Sequence, residues 1–295
     1  MAVDAYVWAE TNDSGNLATY KAEVISLCNG FVLRNGTGST WGAGDAFNDD
    51  LNWAVIAFTR AYDVTNTTSF LTDAEDGFAT VTGRAFTNDG GSGALCQTSP
   101  GCYEDAAVNF TYVIAGHLLS GASGNGTYNT DVHGVYTWAI ADGNLYNSST
   151  GQVYDAPGGY SEYSYNYGLA IGAASESADT PTITKVADFL MTGLGNYDGT
   201  SGGYNILPNY GQGVHDNDGG FNGITMRWIG TANSHGAISS TVLAWARANV
   251  GQAWSIRYYP GYLMWNHWST PTNISQAYGW DCSSGLVGML DIPPS

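Results

Sequence analysis

Residues 47–65 read Phe47-Asn48-Asp49-Asp50-Leu51-Asn52-Trp53-Ala54-Val55-Ile56-Ala57-Phe58-Thr59-Arg60-Ala61-Tyr62-Asp63-Val64-Thr65. Leu51, Val55, Phe58 and Tyr62 recur at helical spacing, with Ala54, Ala57 and Ala61 on a neighbouring stripe, so this is a helix with one apolar face. Asn48 is a residue type that caps helix N-termini, which places Asp49 and Asp50 in the first turn. Outward from this stretch, Phe110, Ile114 and Leu118 repeat the four-residue step, and Val186, Leu190 and Leu194 do so again. The same reading predicts ten helices, near 16–33, 49–63, 69–85, 103–120, 129–141, 164–178, 181–195, 220–230, 237–250 and 274–290. Strand alternation is scarce, and small residues on many helical faces suit helices packed closely on one another. The expected fold class is all-α. Consecutive helices joined by alternating short and long loops suit a toroid of helical hairpins around a central axis. The Gly-rich loops 87–102 and 196–219 would line the rim of its cleft. No Pro-rich or charge-dense linker divides the chain, so residues 1–295 read as one domain.

Composition narrows the partner. Only 12% of the 295 residues are charged, and 8 Lys and Arg face 26 Asp and Glu, a net charge of -18. Long-range repulsion therefore excludes nucleic acid, anionic membrane and other polyanions as partners. A hydrophobic fraction of 43%, with 10 Trp and 20 Tyr, excludes a disordered chain. No apolar run approaches the ~18 residues of a membrane span. A folded, acidic protein with a neutral ligand remains.

Several features point to export. Lys occurs only at positions 21 and 185, and Cys occurs four times, an even number. Seven Asn-x-Ser/Thr sequons begin at Asn12, Asn35, Asn66, Asn109, Asn125, Asn147 and Asn273. Met1-Ala2-Val3-Asp4 has no basic or apolar leader character, so the expectation is a secreted or wall-associated protein whose signal has been removed. Cys96 and Cys102 bracket a short turn that a disulfide could clip, leaving Cys28 and Cys282 as the second candidate pair among three connectivities. Neither the Cys spacing nor that of His117, His133, His215, His235 and His267 forms a metal motif, and Asp216 with Asp218 lacks the full calcium-loop pattern. Neither a metal nor another cofactor is expected.

The pair Asp49–Asp50 is the sharpest chemical feature. Acids in a first turn simply complement the helix dipole, and that is the plain reading. The functional reading is that adjacent carboxylates cannot ionise independently, so one holds its proton while the other is released. That is the nucleophile-plus-acid pairing that cleaves a glycosidic bond. Trp53, one turn on, offers a flat face for a sugar. The run Trp254 to Trp268, containing Tyr258, Tyr259 and Tyr262, is either sugar-stacking surface or an aromatic plug.

The stretch Phe47–Ala57 with Ala61-Tyr62-Asp63-Val64-Thr65 resembles glycoside hydrolase family 76, the endo-α-1,6-mannanases, whose pattern is an aromatic residue, Asp-Asp, Trp and later Ala-Tyr-Asp-Leu-Thr. Phe70-Leu71-Thr72-Asp73-Ala74-Glu75, Tyr163-Ser164-Tyr165-Asn166-Tyr167-Gly168 and Phe221-Asn222-Gly223-Ile224 resemble three further family blocks in the same order. The resemblance implies an (α/α)6 barrel that cleaves α-1,6-mannan with retention, α-mannan being the partner. Asp49 would be the nucleophile and Asp50 the general acid/base. Tyr165, Asn166, Asp218 and Phe221 would fall on the cleft wall. Against that pattern, ten helices leave the barrel one opening hairpin short of twelve, and Asn222 replaces the family's Lys. An open side would invite self-association, and would suit an alternative role as a non-catalytic wall or assembly protein. A sugar acceptor in place of water would make the same site a transglycosylase.

Overall fold

A computed structural model describes residues 1–86, 94–98, 101–160, 163–208 and 217–294, with only the backbone described for Asn217 and Asp218. The described residues form twelve α-helices and a single two-stranded antiparallel ladder of two residues a strand, as the all-α expectation requires. Two compact units divide the chain, residues 2–147 with 154–159, and residues 148–153 with 160–295. Among the described residues no helix is long and apolar enough to cross a membrane.

The N-terminal unit holds α1 (Ala2–Asn12), α2 (Leu17–Asn35), α3 (Gly38–Gly44), α4 (Asn48–Thr65), α5 (Thr68–Ala85), α6 (Ala106–Ser123) and α7 (Thr127–Ala139). Helix α4 is its centre, packing on α5 and α6 and more lightly on α1 and α2. Its predicted apolar face is the buried one: Leu51, Val55 and Phe58 are all interior. Phe58 meets Trp41 at 5.0 Å and Phe70 at 5.6 Å, both edge-on, the arrangement that ring quadrupoles favour. Asn66 ends α4 in the left-handed conformation at φ 57, a position that Asn tolerates.

Two of these helices are not among the ten that the periodicity predicts, which removes the arithmetic behind a missing hairpin. In α1 the buried residues are Ala9 and Asp4, and Asp4 pairs with Arg60 of α4 at 2.7 Å. A charge thus sits where the helical period requires an apolar residue. In α3 the sequence Gly-Ser-Thr-Trp-Gly-Ala-Gly reads as loop, because glycine is a poor helix former. Gly38 is needed there, since a Cβ would collide with the Asp73 carbonyl of α5, and Trp41 anchors the turn by donating to the Gly36 carbonyl at 2.9 Å.

The C-terminal unit holds α8 (Ser164–Glu176), α9 (Thr180–Thr192), β1 (Thr200–Ser201), β2 (Tyr204–Asn205), a 3₁₀ turn (Asn217–Gly220), α10 (Phe221–Ser234), α11 (Ser240–Ser255) and α12 (Gly279–Asp291). Thr200 pairs with Asn205 and Ser201 with Tyr204. Helix α10 packs between α8 and α12. Contact with α8 is close: a Cβ on Gly168 would lie 2.6 Å from the Thr225 Cα. Capping corrects two predicted starts. Ser239 accepts from the Val242 N–H, so α11 begins at Ser240, and the Tyr278 N–H donates to Asp281, so α12 begins at Gly279 rather than near 274.

Candidate active site

The first turn of α4 is fixed from several sides. Phe47 is the extended residue before the helix and bridges Thr98 in antiparallel fashion. Asn48 caps nothing, contrary to expectation; it is fully buried, and its backbone N–H donates to the Gln97 carbonyl at 2.7 Å while its Nδ2 donates to the Cys96 carbonyl at 2.7 Å. Arg84 of α5 donates Nε to Asn48 Oδ1 at 2.6 Å and Nη1 to the carbonyls of Gly42 and Asp45 at 2.7 and 2.9 Å. Asn52, one turn on, donates to the Val108 carbonyl and Thr111 Oγ1 of α6, both at 3.1 Å. The segment that receives Asn48 is itself clipped by the disulfide Cys96–Cys102. Asn109 holds it on α6: Leu95 N–H donates to Asn109 Oδ1 at 2.9 Å, and Asn109 Nδ2 donates to Leu95 O at 3.2 Å. These bonds pre-set the backbone that carries Asp49 and Asp50, which is what a reacting pair of carboxylates requires.

Asp49 lies beside two other acids, Asp50 and Asp45. Burial pushes its carboxyl up to about 6; the charges of Asp50 and Asp45 add to the rise, and the N–H groups of Asp49 and Asp50 at the helix start oppose it. Asp49 Oδ1 is shielded from solvent and makes no hydrogen bond among the described residues, leaving an acceptor open. Asp50 is exposed, yet its pKa also rises, from the protein packed around its carboxyl and then from Asp45. A third acid belongs to the cluster. Asp105 caps α6, accepting from the Val108 N–H at 2.9 Å, is only 4% exposed, and is pushed up to about 7 by burial and by the charges of Asp49 and Asp155. Adjacent acids of this kind titrate as a set, and the site holds protons into the range where most carboxyls have lost theirs.

In the C-terminal unit an aromatic group forms where α8 and α10 begin. Tyr165 stacks on Phe221 at 4.7 Å with planes 20° apart, and Tyr163 meets Phe221 edge-on at 5.6 Å. Behind them Ser164 donates to Asn222 Oδ1 at 2.7 Å, so Asn222 is a buried tie between α8 and α10. A cavity of about 490 Å³ in the same unit is lined by Tyr204, Leu243, Arg247 and Pro294 among others, with no Asp or Glu side chain among the described lining residues.

No protein-family model matches the chain, and no curated protein sequence does so either. Solved structures do. The GH76A α-1,6-mannanase from Salegentibacter sp. HEL1_6 superposes with a TM-score of 0.76 at 20% identity, over 99% of this chain and 85% of that one. The Lin0763 protein from Listeria innocua gives 0.77 at 18% identity, over 98% and 82%. Dfg5 from Chaetomium thermophilum, in complex with glucosamine, gives 0.68 at 15% identity, over 99% and 78%. The fold is that of the family 76 glycoside hydrolases. An inactive variant of the Salegentibacter mannanase, with two consecutive aspartates changed to asparagine, was solved with α-1,6-mannotriose, and one with both changed to alanine with α-1,6-mannotetrose.

On this family 76 fold the residues singled out in the sequence take definite places. Asp49, Asp50 and half-buried Trp53 lie together on α4. Tyr165 and Phe221 lie together at the head of α8 and α10. Asn166 is 1% exposed within α8, and Tyr163 is exposed beside Phe221. The Asp218 side chain, Asp216 and His215 lie outside the described residues. Cys96 and Cys102 are joined, but Cys28 and Cys282 are both free thiols, and that expected pair is not formed. A short turn brings the first two together; Cys28 on α2 and Cys282 on α12 belong to different units and have no such local closure. Of the sequons, Asn12, Asn35, Asn66, Asn125 and Asn273 are exposed and Asn147 is half-exposed. Asn109 is corrected, since it is 0% exposed with its amide bonded inside. Asp105 is the member of the cluster that the sequence reading passed over; an Asp before the apolar run 106–119 signals a cap, but nothing local places it beside α4.

Proposed function

We propose that this chain is a secreted, endo-acting glycosidase that cleaves α-1,6-mannosidic bonds with retention, using Asp49 as nucleophile and Asp50 as general acid/base. The observation that carries the reading is the consecutive carboxylate pair on a braced helix start, one member half-buried with a shielded, open acceptor oxygen. It lies on a fold shared with an α-1,6-mannanase that becomes inactive when two consecutive aspartates are changed. Asp49 Oδ attacks the anomeric carbon as Asp50 gives its proton to the departing O6 of the next mannose, leaving a mannosyl–Asp49 ester. Asp50, now ionised, takes a proton from water, whose oxygen attacks the anomeric carbon and frees Asp49. In the empty site the pair shares its first proton. Protonating Asp50 removes one of the charges that hold Asp49 up, so the acid form of one member keeps the other ionised. Trp53 is the proposed sugar contact of the N-terminal unit, and Tyr165, Asn166, Asp218 and Phe221 are proposed sugar contacts of the C-terminal unit. Secretion is supported by the Lys-poor composition, the exposed sequons and the disulfide. The direct test follows reducing ends released from α-1,6-mannan by the wild type, by Asp49→Asn and by Asp50→Asn. Release by the first alone supports the reading, whereas none from the wild type, or undiminished release by the variants, removes it. Adding an acceptor sugar separates hydrolysis from transfer, because transfer lengthens the product.

The acid next to the pair gives a pH prediction. Asp45→Asn deletes a negative charge that raises the Asp49 pKa, so the acid limb of the kcat/KM profile moves to lower pH. Stability carries the same sign. Asp49 and Asp105 have folded values of about 6 and 7 against an unfolded 3.8, so the folded chain holds protons that the unfolded chain has released. Stability therefore falls as pH rises from about 4 to 7. Thermal unfolding across that range should show a shallower slope in Asp105→Asn than in the wild type.

A further inference from the structure

The aromatic run Trp254 to Trp268 divides in two. Met264, Trp265 and Trp268 are interior and plug the C-terminal unit. Residues 254–263 do the opposite: Tyr259 is 65% exposed and Tyr262 51%, with Tyr258 and Leu263 exposed beside them. They are held in place nonetheless. The Tyr258 N–H donates to the Leu263 carbonyl at 2.7 Å and closes the turn. Arg257 lays its guanidinium 3.8 Å above the Trp254 ring and 5.7 and 5.5 Å from Tyr259 and Tyr262, while its Nη1 donates to the Trp254 carbonyl at 2.6 Å. The Tyr262 ring runs nearly parallel to Trp254, 18° apart, and the hydroxyls of Tyr259 and Tyr262 meet at 2.9 Å. Tyr262 has φ 55, a left-handed backbone that costs a non-glycine residue about 1 kcal/mol. An exposed, braced and strained group of aromatic rings marks a place where something binds.

The occupant follows from the chemistry. Tyr259 and Tyr262 meet edge-on at 4.9 Å with planes 68° apart, and this angled pair of exposed rings with joined hydroxyls matches a pyranose, which presents C–H groups on its face and hydroxyls at its edge. Arg257 is spent within the stack, and the chain carries -18, so an anionic polymer is disfavoured. We propose that Tyr259 and Tyr262, braced by Arg257 on Trp254, form a platform in the C-terminal unit that binds a neutral polysaccharide chain. Its role is to hold polymer, and the choice of α-1,6-mannan as that polymer rests on the activity proposed above.

The test uses full-length Asp49→Asn protein, so that the matrix is not cut, in native electrophoresis through gels containing α-1,6-mannan. The parent should be retarded, and adding Tyr259→Ala or Tyr262→Gly should weaken retention by about fivefold or more. Tyr262→Gly guards against misfolding, because glycine accepts φ 55 without strain and should keep or raise the thermal midpoint. In the wild-type background both changes should leave cleavage of mannotetraose unaltered. Equal retention of parent and variants overturns the platform. So does a parent that is oligomeric by gel filtration while the variants are monomeric, which would make the patch a protein interface. Cleavage by the wild type without variant loss of retention removes only the platform, and loss of retention with no wild-type cleavage removes only the proposed activity.

Discussion

Asp49→Ala should lower kcat/KM on α-1,6-mannan by about 10⁴-fold or more, with folding intact, because the covalent step loses its nucleophile. Asp49 contributes little to stability in its place: its buried carboxyl is a cost near neutral pH, as the rise of its pKa to about 6 shows. The loss should be partly restored by azide acting on an activated aryl α-1,6-mannobioside. Azide then enters where Asp49 stood and yields the β-mannosyl azide, inverted at the anomeric carbon. In Asp50→Ala the ester on Asp49 still forms, azide attacks it from the opposite face, and the product is the α-mannosyl azide. The two anomers assign the two roles separately; α from Asp49→Ala, with β from Asp50→Ala, would exchange them.

The largest structural effect is expected at Asn109. Its amide is the only described hydrogen-bond partner of both backbone groups of Leu95, accepting from the N–H and donating to the carbonyl, and all of these are buried. Asn109→Ala leaves that N–H and that carbonyl without partners and is expected to cost about 3 kcal/mol, read as a lower midpoint in denaturant unfolding of the full chain. The damage should pass to activity, since Leu95 precedes the Cys96 and Gln97 carbonyls that hold Asn48, and Asn48 opens the helix of the acid pair. Asn125→Ala, at an exposed sequon, should leave both unchanged. Peptide mapping of protein from a glycosylating host should find Asn109 unmodified, because a glycan on it cannot coexist with these bonds.

How much of this was legible in residue order depends on what each element uses for its signal. Helix α4 announces itself because Leu51, Val55 and Phe58 all face the interior. Helix α1 is silent because its inward positions are Ala9 and Asp4, and the ion pair with Arg60 replaces an apolar contact. Helix α3 is silent for another reason: glycines that lower helix propensity are what let it approach α5. In the site, the adjacency of Asp49 and Asp50 is covalent and visible. Asp105 joins them only through the packing of α4 on α6, and no local pattern carries that. The aromatic run from Trp254 was readable as an aromatic cluster, but its division into buried plug and exposed platform depends on which rings the tertiary structure covers.

The stereochemistry of the first cleavage product decides whether Asp49 acts as a nucleophile. Proton NMR during cleavage of α-1,6-mannan by the wild type should show the α-anomer of the new reducing end appearing first, with the β-anomer rising only at the rate of mutarotation, because two displacements at the anomeric carbon, by Asp49 and then by water, retain configuration. A β-anomer appearing first, or no new reducing end at all, would contradict that role.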